Sequence, residues 1–492
     1  MTGALETRRA QPGMINVIFS FAAVMGALLV MLTVFTVRSR FGDPDMWWHL
    51  KTGELIWKTH SVPHVDPFSF TAAGHPWIAQ EWLAELTIYG AYRMGGYSGL
   101  MLWVCALGSL VLIAGYALCW LCSGNGKIAF LGAMGIWFFG TIGLVVRPHL
   151  IGLLLLSCEL IILQLGRTRD TRWYFALPPL FALWINLHSS FAFGLIVLAV
   201  VLACSLPTLQ AGLLITRPSP KQDTKRLAVC LALSIAALFL NPIGPKLIWY
   251  PLDVMINQPL NVASVSEWQP APFSDGRAWA LVGIAGLILL VPILRRTSLL
   301  LEELVLASLA FVLAAQHQRM LFLFGIVAMP IVCRILADTW QQNESRREHV
   351  VVNGVLLAIV AVAVISGFPK QRNLVSLVDG VMPVRALDYI RHAGLSGPMV
   401  NEYVFGGYLI WAAPERKVFI DGRADVYEAA GVLAEYGRWA TVRESPNALL
   451  DRHGIRLCLM SRTHPMTRIM PLLANWKTVY SDDLSVVFAR QH

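Results

Sequence analysis

Long apolar runs recur through the first 368 residues, and they restrict the fold of this chain more than any other feature. A helix needs roughly 20 consecutive apolar residues to cross the hydrocarbon core of a bilayer. Eleven runs come near that length: 14–36, 98–121, 127–146, 149–165, 173–187, 189–207, 226–241, 277–294, 299–316, 319–337 and 349–367. Charged residues make up only 14% of the chain, whereas soluble domains average about 25%. The sequence therefore predicts a mainly α fold, a polytopic transmembrane helix bundle of about 11 spans.

Two apolar segments carry expectations of their own. The run from Met14 to Phe35 is of spanning length and lacks a small-residue cleavage site, so we expect it to remain as a helix. Segment 80–94 is apolar but too short to span, and we expect it to lie at the interface or to re-enter the membrane.

The distribution of basic residues predicts how the bundle is oriented. If the N-terminus is cytoplasmic, the inner loops hold most of them: Arg8, Arg9, Lys127, Arg167, Arg169, Arg172, Arg217, Lys221, Lys225, Arg226, Arg295, Arg296, Arg346 and Arg347. The short outer turns hold little beyond Arg147, Lys246 and Arg319. Cytoplasmic loops are enriched in Lys and Arg in this way, so the net charge of +9 requires no nucleic-acid partner. We predict a multi-pass protein of the cytoplasmic (inner) membrane, with its C-terminal region outside the cytoplasm.

Residues 369–492 follow a different pattern, with short apolar segments that alternate with polar ones. Strands are predicted at 397–402, 417–421, 455–460 and 484–489, and helices at 404–412, 426–442 and 464–475. Such alternation is typical of an α/β fold. The chain is thus predicted to divide into a transmembrane domain, 1–368, which includes a long outer loop at 37–97, and a small extracytoplasmic α/β domain, 369–492.

The first outer loop begins with two acidic residues at the membrane edge, in F-G-D-P-D-M-W-W-H-L. Asp43 and Asp45 flank Pro44, and proline is favoured at the start of a helix, so Asp43 could simply cap a helix that begins near Pro44. Paired carboxylates can also accept a proton from an attacking hydroxyl group or hold a divalent cation. Glu81, beside Trp82 and just before apolar sequence, is a further acidic candidate in this loop.

Polar residues also occur at the outer ends of several other predicted spans. Arg147 follows the third predicted span and His188 follows the fifth. Glu267 lies in a later loop, and Arg319 is the first residue of the tenth span. Any one of these could be a snorkelling or capping residue. Together they lie on the side that holds Asp43 and Asp45, and ionisable groups at membrane depth tend to mark function. Guanidinium groups suit the binding of phosphate, so the set favours a lipid-phosphate substrate.

These motifs resemble the GT-C membrane glycosyltransferases. D-P-D-M-W-W-H-L is similar to the acidic motif that leads into an interfacial helix in that group, and D-P-F-S-F-T-A-A-G-H-P-W resembles the same loop of oligosaccharyltransferase catalytic subunits. M-V-N-E-Y-V-F-G-G-Y-L-I-W and K-V-F-I-D-G-R-A-D occupy the place of the oligosaccharyltransferase W-W-D-Y-G region, but Asn401-Glu402-Tyr403 replaces W-W-D, so N-glycosylation is not expected. The W-W-H-L, R-P, N-L-H and G-G-Y-L-I-W blocks also resemble bacterial membrane proteins whose substrates are unassigned.

The resemblance implies an enzyme that moves a sugar from a polyprenyl-phosphate or polyprenyl-diphosphate donor to an extracytoplasmic acceptor, which could be a glycan, a lipid or a protein. It implies that Asp43 or Asp45 acts as the base, and that Arg147 and Arg319 hold the donor phosphate. The other substrate-binding residues that it implies are Glu81, His188 and Glu267. A divalent cation, Mg²⁺ or Mn²⁺, would be held by Asp45 and Glu267, although many related enzymes work without metal.

Two rival functions stay open at this point. A transporter or flippase of lipid-linked substrates would need polar groups near the middle of the membrane, with access from both faces. A non-catalytic membrane scaffold would instead bind partners through the C-terminal region, for example through I-D-G-R-A-D with Asp421, Arg423 and Asp425.

Overall fold

The structure is a computed structural model that describes residues 14–339 and 349–491, most of which lie in helices. The first half contains α1 (Met14–Ile18), α2 (Phe21–Val37), α3 (Met46–Thr59), α4 (Trp82–Ser123), α5 (Gly126–Gly140), α6 (His149–Thr168), α7 (Leu177–Trp184) and α8 (Phe191–Ser205). The chain continues through α9 (Lys221–Ala237), α10 (Pro245–Asn257), α11 (Pro259–Ser264), α12 (Gly276–Arg295), α13 (Leu301–Gln316), α14 (Leu321–Thr339) and α15 (Val350–Gly367). Strands β1 (Gln210–Ala211), β2 (Leu214–Ile215) and β3 (Leu299–Leu300) form a small sheet between helices.

Five of the described helices are long and apolar enough to cross a membrane: Trp82–Ser123, His149–Thr168, Gly276–Arg295, Gln318–Asp338 and Val350–Gly367. Shorter apolar helices include Phe21–Val37, Gly126–Gly140 and Phe191–Ser205. Each of the eleven predicted spans overlaps at least one helix. The chain is thus a mainly helical, multi-pass membrane protein, and the total of about 11 spans stays a prediction.

Helix α14 lies at the centre of the bundle, where it packs against α4, α5, α12 and α13. Small residues on α5 make the close approach possible, since a Cβ added at Gly140 would lie 2.6 Å from the ring of Phe322. At Gly132 the same addition would meet the sulfur atom of Cys333. Glycines let membrane helices approach closely enough for dense van der Waals contact, and here they hold α14 rigidly against its neighbours.

Segment 80–94 is expected to lie at the interface or to re-enter the membrane, and the structure shows most of it as a helical part of its own at the start of α4. Gly95 and Gly96 are non-helical and separate this part from the apolar remainder of α4. Trp103 Nε1 donates to Thr87 Oγ1 at 3.1 Å, so the two helical parts lie side by side. Gly96 has φ 57°, a conformation that side chains disfavour and glycine adopts freely, and it lets the chain turn here. The position of segment 80–94 relative to the membrane stays a prediction.

The C-terminal region, residues 369–491, contains a four-stranded sheet and several short helices. Its elements are α16 (Gln371–Asp379), α17 (Val384–His392), β4 (Met399–Asn401), α18 (Tyr403–Ala412), α19 (Ala424–Ala429), α20 (Val432–Ala440), α21 (Pro446–Arg452), β5 (Leu457–Ser461), α22 (Pro465–Ile469), β6 (Trp476–Ser481) and β7 (Ser485–Arg490). The strand order is β4-β5-β7-β6, with β4 parallel to β5 and the other pairs antiparallel. Val400 pairs with Cys458, and Cys458 with Phe488, so these side chains share the buried face of the sheet.

Some predicted elements of this region differ in the structure. Segment 417–421 is not a strand of the sheet, since Val418 makes only an isolated bridge with Ser69 of the first loop. The predicted helix 426–442 is two helices separated by Gly431, which has φ 74°. Strand β6 has no counterpart in the prediction, because its outer position leaves several residues exposed and weakens its apolar pattern.

The C-terminal region packs directly on the first loop, residues 38–81. Phe70 N donates to Val418 O, and Val418 N donates to Phe68 O, both at 3.1 Å. Helix α18 lies against α3, and a Cβ added at Gly407 would lie only 2.5 Å from Pro44 O. The G-G-Y-L-I-W block is thus the packing surface that brings the C-terminal region onto the D-P-D sequence.

Candidate functional site

The D-P-D sequence lies immediately before α3, at what we call the site end of the bundle. Asp43 Oδ1 accepts a hydrogen bond from Asp45 N at 3.0 Å. Asp45 is the residue that precedes α3, but its side chain does not cap the helix; instead Asp45 Oδ1 accepts from Trp48 Nε1 at 3.2 Å. Asp43 therefore accepts a backbone N–H of the turn that leads into α3, as a capping residue does, whereas the side chain of Asp45 caps nothing.

Arg147 collects three carboxylates around one guanidinium group. Its Nε and Nη2 donate to the two oxygens of Asp43 at 2.7 and 2.9 Å, a bidentate pair. Its Nη1 lies 2.9 Å from Glu267 Oε2 and 3.2 Å from Asp45 Oδ2. Burial would lower the pKa of Arg147, but the three nearby negative charges outweigh it and raise that pKa well above its usual value.

Asp45 is a poised proton acceptor in this cluster. Burial raises its pKa to about 6, Arg147 opposes the rise, and the charges of Asp43 and Glu267 add to it. At neutral pH the carboxylate is therefore largely ionised but close to the pH at which it takes up a proton. General bases work best with a pKa near the working pH.

Arg319 differs from Arg147 in that its guanidinium has no hydrogen-bond acceptor among the residues that the structure describes. It lies in the 3-10 turn Gln318–Met320 at the start of α14, exposed, with its guanidinium carbon 4.3 Å from the centre of the Trp268 ring. His317 fixes this ring through a 2.6 Å contact between Nδ1 and Trp268 O. Arg319 forms no direct ion pair with any residue that the structure describes, although it interacts electrostatically with Glu267 and Glu81. A stacked, unpaired guanidinium beside three carboxylates is a preformed anion-binding group.

A second polar cluster surrounds Glu81 at the start of α4. Glu81 Oε1 lies 3.4 Å from His188 Nε2, and Glu81 Oε2 lies 3.8 Å from His49 Nδ1. His49 Nδ1 also contacts Glu85 Oε1 at 3.1 Å. Burial raises the pKa of Glu81 to about 8 and lowers the pKa of His188 to about 3, so a protonated acid meets a neutral imidazole at pH 7. Both groups are therefore neutral at pH 7, and they can make hydrogen bonds without bringing a net charge into this buried cluster.

His49 and Glu85 were not among the sequence-predicted candidates. A signal for both was present, because His49 lies four residues after Asp45 and Glu85 lies four residues after Glu81. Residues at this spacing share one face of a helix. The buried carboxyl oxygen Oε2 of Glu85 has no hydrogen-bond partner among the described residues.

His188 is oriented by the short segment that joins α7 to α8. Its Nδ1 lies 2.8 Å from Ser190 Oγ, which also accepts from Trp184 Nε1 at 3.0 Å. Asn186 has a structural role, since it accepts from Trp82 Nε1 at 3.0 Å and donates to Leu240 O at 2.9 Å. The N-L-H sequence thus ties α7 to α4 and α9 while directing the imidazole towards Glu81.

The C-terminal region closes over Asp45. A Cβ added at Gly422 would lie 2.0 Å from Asp45 Oδ1 and 3.0 Å from Trp48 Nε1. Gly422 O accepts a hydrogen bond from Tyr403 Oη at 3.2 Å, which fixes this turn. Only glycine allows the backbone of the I-D-G-R turn to approach the carboxylate this closely.

Arg423 anchors the same turn from inside the protein. It is 2% exposed, and its guanidinium donates to Asp421 at 2.8 and 2.7 Å and to Asp66 Oδ1 at 2.7 Å. The rings of Phe68 and Trp77 lie 5.0 and 4.7 Å from its guanidinium carbon. The sequence analysis offered Asp421 and Arg423 as part of a partner-binding loop, whereas the structure buries this ion pair between the first loop and the C-terminal region.

The N-E-Y sequence that replaces W-W-D is used for packing. Asn401 is fully buried; its side chain accepts from Phe419 N at 2.9 Å and donates to Ile420 O at 2.8 Å. Glu402 accepts from the backbone of Ser461. These side chains hold segment 417–421 in place, so the amide of Asn401 is not free to bind a ligand.

Asp45 and Glu267, the residues predicted to bind a metal ion, both contact a positively charged side chain, that of Arg147. Asp45 and Glu267 both contact Nη1 of Arg147, so this guanidinium lies between their carboxylates. In the described ranges, no group of three or more His, Cys, Asp or Glu residues is placed to hold a metal ion. In this arrangement the residues do not fit a divalent cation, which would require Arg147 to move away.

No family model and no curated protein sequence matches the chain. Several solved structures, in contrast, match the fold of the chain. The oligosaccharyltransferase AglB of Archaeoglobus fulgidus, in complex with an inhibitory peptide and a dolichol-phosphate, has a TM-score of 0.56 and 12% identity over 90% of this chain and 70% of that one. ArnT of Cupriavidus metallidurans has a TM-score of 0.54 in the apo state and 0.51 when bound to undecaprenyl phosphate, with 13% identity. The two ArnT alignments cover 95% and 96% of this chain and 97% of ArnT.

These comparisons confirm the predicted resemblance to the GT-C membrane glycosyltransferases at the level of the fold. The shared fold extends over nearly the whole chain, both the bundle and the C-terminal region. A further structure of the archaeal oligosaccharyltransferase is a complex with zinc and sulfate. At 12–13% identity the likeness says nothing by itself about individual residues.

Proposed function

We propose that the protein is a membrane glycosyltransferase that moves a sugar from a polyprenyl-phosphate or polyprenyl-diphosphate donor to an acceptor on the outer side of the cytoplasmic membrane. The observation that carries this proposal is the unpaired, exposed guanidinium of Arg319 beside the carboxylates held by Arg147. ArnT, which shares the fold, binds undecaprenyl phosphate. In this proposal the site end faces outwards, and residues 369–492 form an extracytoplasmic domain beside the transmembrane residues 1–368.

The two arginines have different roles in this mechanism. Arg319 binds the donor phosphate and stabilises the charge that develops as the phosphate leaves. Arg147 already has three carboxylate partners, so it serves to position Asp43, Asp45 and Glu267 and to limit their mutual repulsion. The predicted pair of phosphate-binding arginines is thereby reduced to one.

Asp45 is the base in this mechanism. The acceptor hydroxyl attacks the anomeric carbon of the sugar while its proton passes to Asp45, and the bond between that carbon and the phosphate oxygen breaks with its electrons leaving on the phosphate. Arg147 and Trp48 fix the orientation of the carboxylate, and its pKa of about 6 keeps it mostly ionised at neutral pH. Asp43 is held bidentately by Arg147 and is less free to take the proton.

Glu81 and His188 form the sugar-binding side of the site. A protonated Glu81 donates a hydrogen bond, and a neutral His188 can donate or accept one, so the pair matches the hydroxyl groups of a sugar. No step in this mechanism passes through a metal ion, because Arg147 occupies the position between Asp45 and Glu267.

Binding of undecaprenyl phosphate to the purified protein tests the proposal. Arg319→Gln removes a charge-assisted interaction worth about 1.5–3 kcal/mol, so affinity should fall by about 10- to 100-fold. Arg40→Gln is the matched control, because Arg40 is also exposed at the site end but its side chain bonds only to Thr141 O among the described residues. Equal affinity in the wild type and Arg319→Gln would overturn the assignment of the phosphate site.

Transfer itself is tested by mass spectrometry of cell-surface glycans after deletion of the gene. A missing sugar that the wild type and Arg40→Gln restore, but Asp45→Asn does not, is the expected result. Full restoration by Asp45→Asn at normal protein abundance would instead favour a transporter or a scaffold.

A further inference from the structure

A cavity of about 210 Å³ lies at the opposite end of the helices that carry the candidate site. The part of α4 that follows Gly96 reaches this cavity near its end, at Leu118 and Cys122. Helix α6 follows Arg147 and reaches it at Arg167. Helices α8 and α14, which begin beside His188 and Arg319, line it with residues nearer their other ends. The cavity therefore opens at the membrane boundary that the basic residues predict to be cytoplasmic.

The polar wall of this cavity is built on two adjacent acidic residues at the start of α13. Glu302 forms a bidentate pair with Arg167 of α6. Glu303 accepts from Nε of Arg334 at 2.7 and 3.0 Å, and Asp338 accepts from Nη1 of the same arginine at 2.9 Å. The donors of Arg167 and Arg334 that face these acids are thus occupied, and the pairs fix α6, α13 and α14 around the cavity.

Two charged groups on the same wall retain binding capacity. Arg217, in the loop after β2, is exposed and forms no direct ion pair with the residues that the structure describes. The side chain of Asp338 is 47% exposed, and only one of its oxygens bonds to Arg334. An anionic group can therefore bind at Arg217 and a cationic group at Asp338, within one cavity.

The charge balance of the lining selects among ligands. Three arginines, Arg167, Arg217 and Arg334, face three acids, Glu302, Glu303 and Asp338, so the lining is neutral as a whole. A purely anionic headgroup would leave this wall with an unbalanced negative charge, whereas a zwitterion leaves it neutral. A ligand with one phosphate and one ammonium group matches the two groups that retain capacity.

Apart from Gln164 and Cys122, the remaining lining of the cavity is apolar. It includes Leu160, Leu163, Val201, Leu306 and Ile331, which belong to helices inside the bundle. A cavity that combines charged and aliphatic side chains suits a molecule with a polar head and a hydrocarbon tail. Basic pockets between helices on the cytoplasmic side of membrane proteins bind the headgroups of anionic lipids, whereas the acids of this lining balance its arginines.

We propose that this cavity binds a zwitterionic phospholipid with a primary ammonium group, with its phosphate on Arg217 and its ammonium on Asp338. The ammonium of ethanolamine has three N–H donors for the Asp338 carboxylate, whereas the methylated ammonium of choline has none. The bound lipid would brace the inner ends of the helices whose outer ends form the candidate site. This site is separate from glycosyl transfer and does not depend on the proposed function.

Thermal unfolding of the delipidated protein in detergent tests the proposal. Phosphatidylethanolamine should raise the Tm more than phosphatidylcholine or phosphatidylglycerol, and inorganic phosphate should have little effect. Arg217→Gln should lose most of the ethanolamine-lipid shift, while Lys221→Gln, an exposed residue at the start of α9 that does not line the cavity, should keep it. Asp338→Asn retains an oxygen for Arg334 and should abolish the preference for ethanolamine over choline.

Three outcomes would overturn the proposal. An equal shift in the wild type and Arg217→Gln would place the lipid elsewhere. A larger shift with phosphatidylglycerol would mean that the cavity prefers an anionic headgroup. An equal shift with inorganic phosphate would show that phosphate alone is recognised, without a lipid.

Discussion

Gly422 offers the sharpest test of the candidate site, because it is the residue over which the C-terminal region meets Asp45. A Cβ at this position would lie 2.0 Å from Asp45 Oδ1, whereas an unbonded carbon and oxygen need roughly 3.5 Å. Gly422→Ala therefore requires the Asp45 carboxylate or the turn itself to move by more than about 1 Å. Trp48 Nε1, which bonds to the same oxygen, would be 3.0 Å from the new methyl group and would resist that movement.

The expected result is a large loss of rate in a protein that still folds. Misplacing a reacting group by about 1 Å can lower the rate by about 100-fold, or about 2.7 kcal/mol in activation free energy. Overpacking at one position costs about 1–3 kcal/mol in stability, so the Tm should fall without loss of the fold. Affinity for undecaprenyl phosphate should stay near the wild-type value, because Arg319 lies in the 3-10 turn before α14 and not beneath the turn of Gly422.

The rate is measured as sugar transfer with donor-containing membranes from the parent cells, alongside the Tm and the dissociation constant for undecaprenyl phosphate. Gly437→Ala is the matched control, since it lies in helix α20 of the same region and its added Cβ would meet no atom within 4 Å. Wild-type transfer by Gly422→Ala would refute the reasoning, because it would mean that the position of Asp45 against this turn does not matter for catalysis.

Four further outcomes are expected. The transfer rate should rise through about pH 6 as Asp45 ionises. The stability of the protein should fall as the pH rises from about 4 to about 6, because the pKa of Asp45 in the folded protein lies above the usual 3.8. Profiles of rate and Tm against pH, compared with those of Asp45→Asn, check both. Arg147→Lys should lower the rate by about 10- to 100-fold with a similar Tm, since a lysine cannot make the bidentate pair with Asp43; near-wild-type kinetics would contradict this. Transfer should survive chelation by EDTA, because Arg147 lies between Asp45 and Glu267, and a loss that Mg²⁺ or Mn²⁺ restores would show otherwise. Arg423→Met should destabilise the protein by about 3–5 kcal/mol, since it leaves two buried carboxylates unpaired, while the exposed Arg452→Met should shift the Tm little.

Much of the bundle could be predicted because membrane helices must be continuously apolar. The prediction 349–367 differs by one residue at its start from α15, and 149–165 lies within α6. The ends of the apolar runs also predicted that Arg147, His188 and Arg319 lie at helix ends, as they do in the structure. Apolar length and loop charge are properties of the local sequence, so they need no tertiary information.

The errors have a common cause, which is that the element depends on distant partners. Strand β6 was not predicted, because its outer position in the sheet leaves several of its residues exposed. Segment 417–421 has the pattern of a strand, yet Asn401 and the first loop hold it outside the sheet. Such outcomes depend on contacts between residues far apart in the chain.

The sequence by itself determined that this is a multi-pass helical protein whose ionisable residues, from Asp43 to Arg319, gather at the ends of its helices. Only the tertiary structure decided how those charges pair. In the structure all three carboxylates contact Arg147, and Arg319 has no ion-pair partner in the described ranges. Gly422 lies against Asp45, more than 370 residues away in the chain. The physical reason is that an ion pair or a backbone contact depends on distances of a few ångströms. No pattern of residue types along the chain sets such distances between helices.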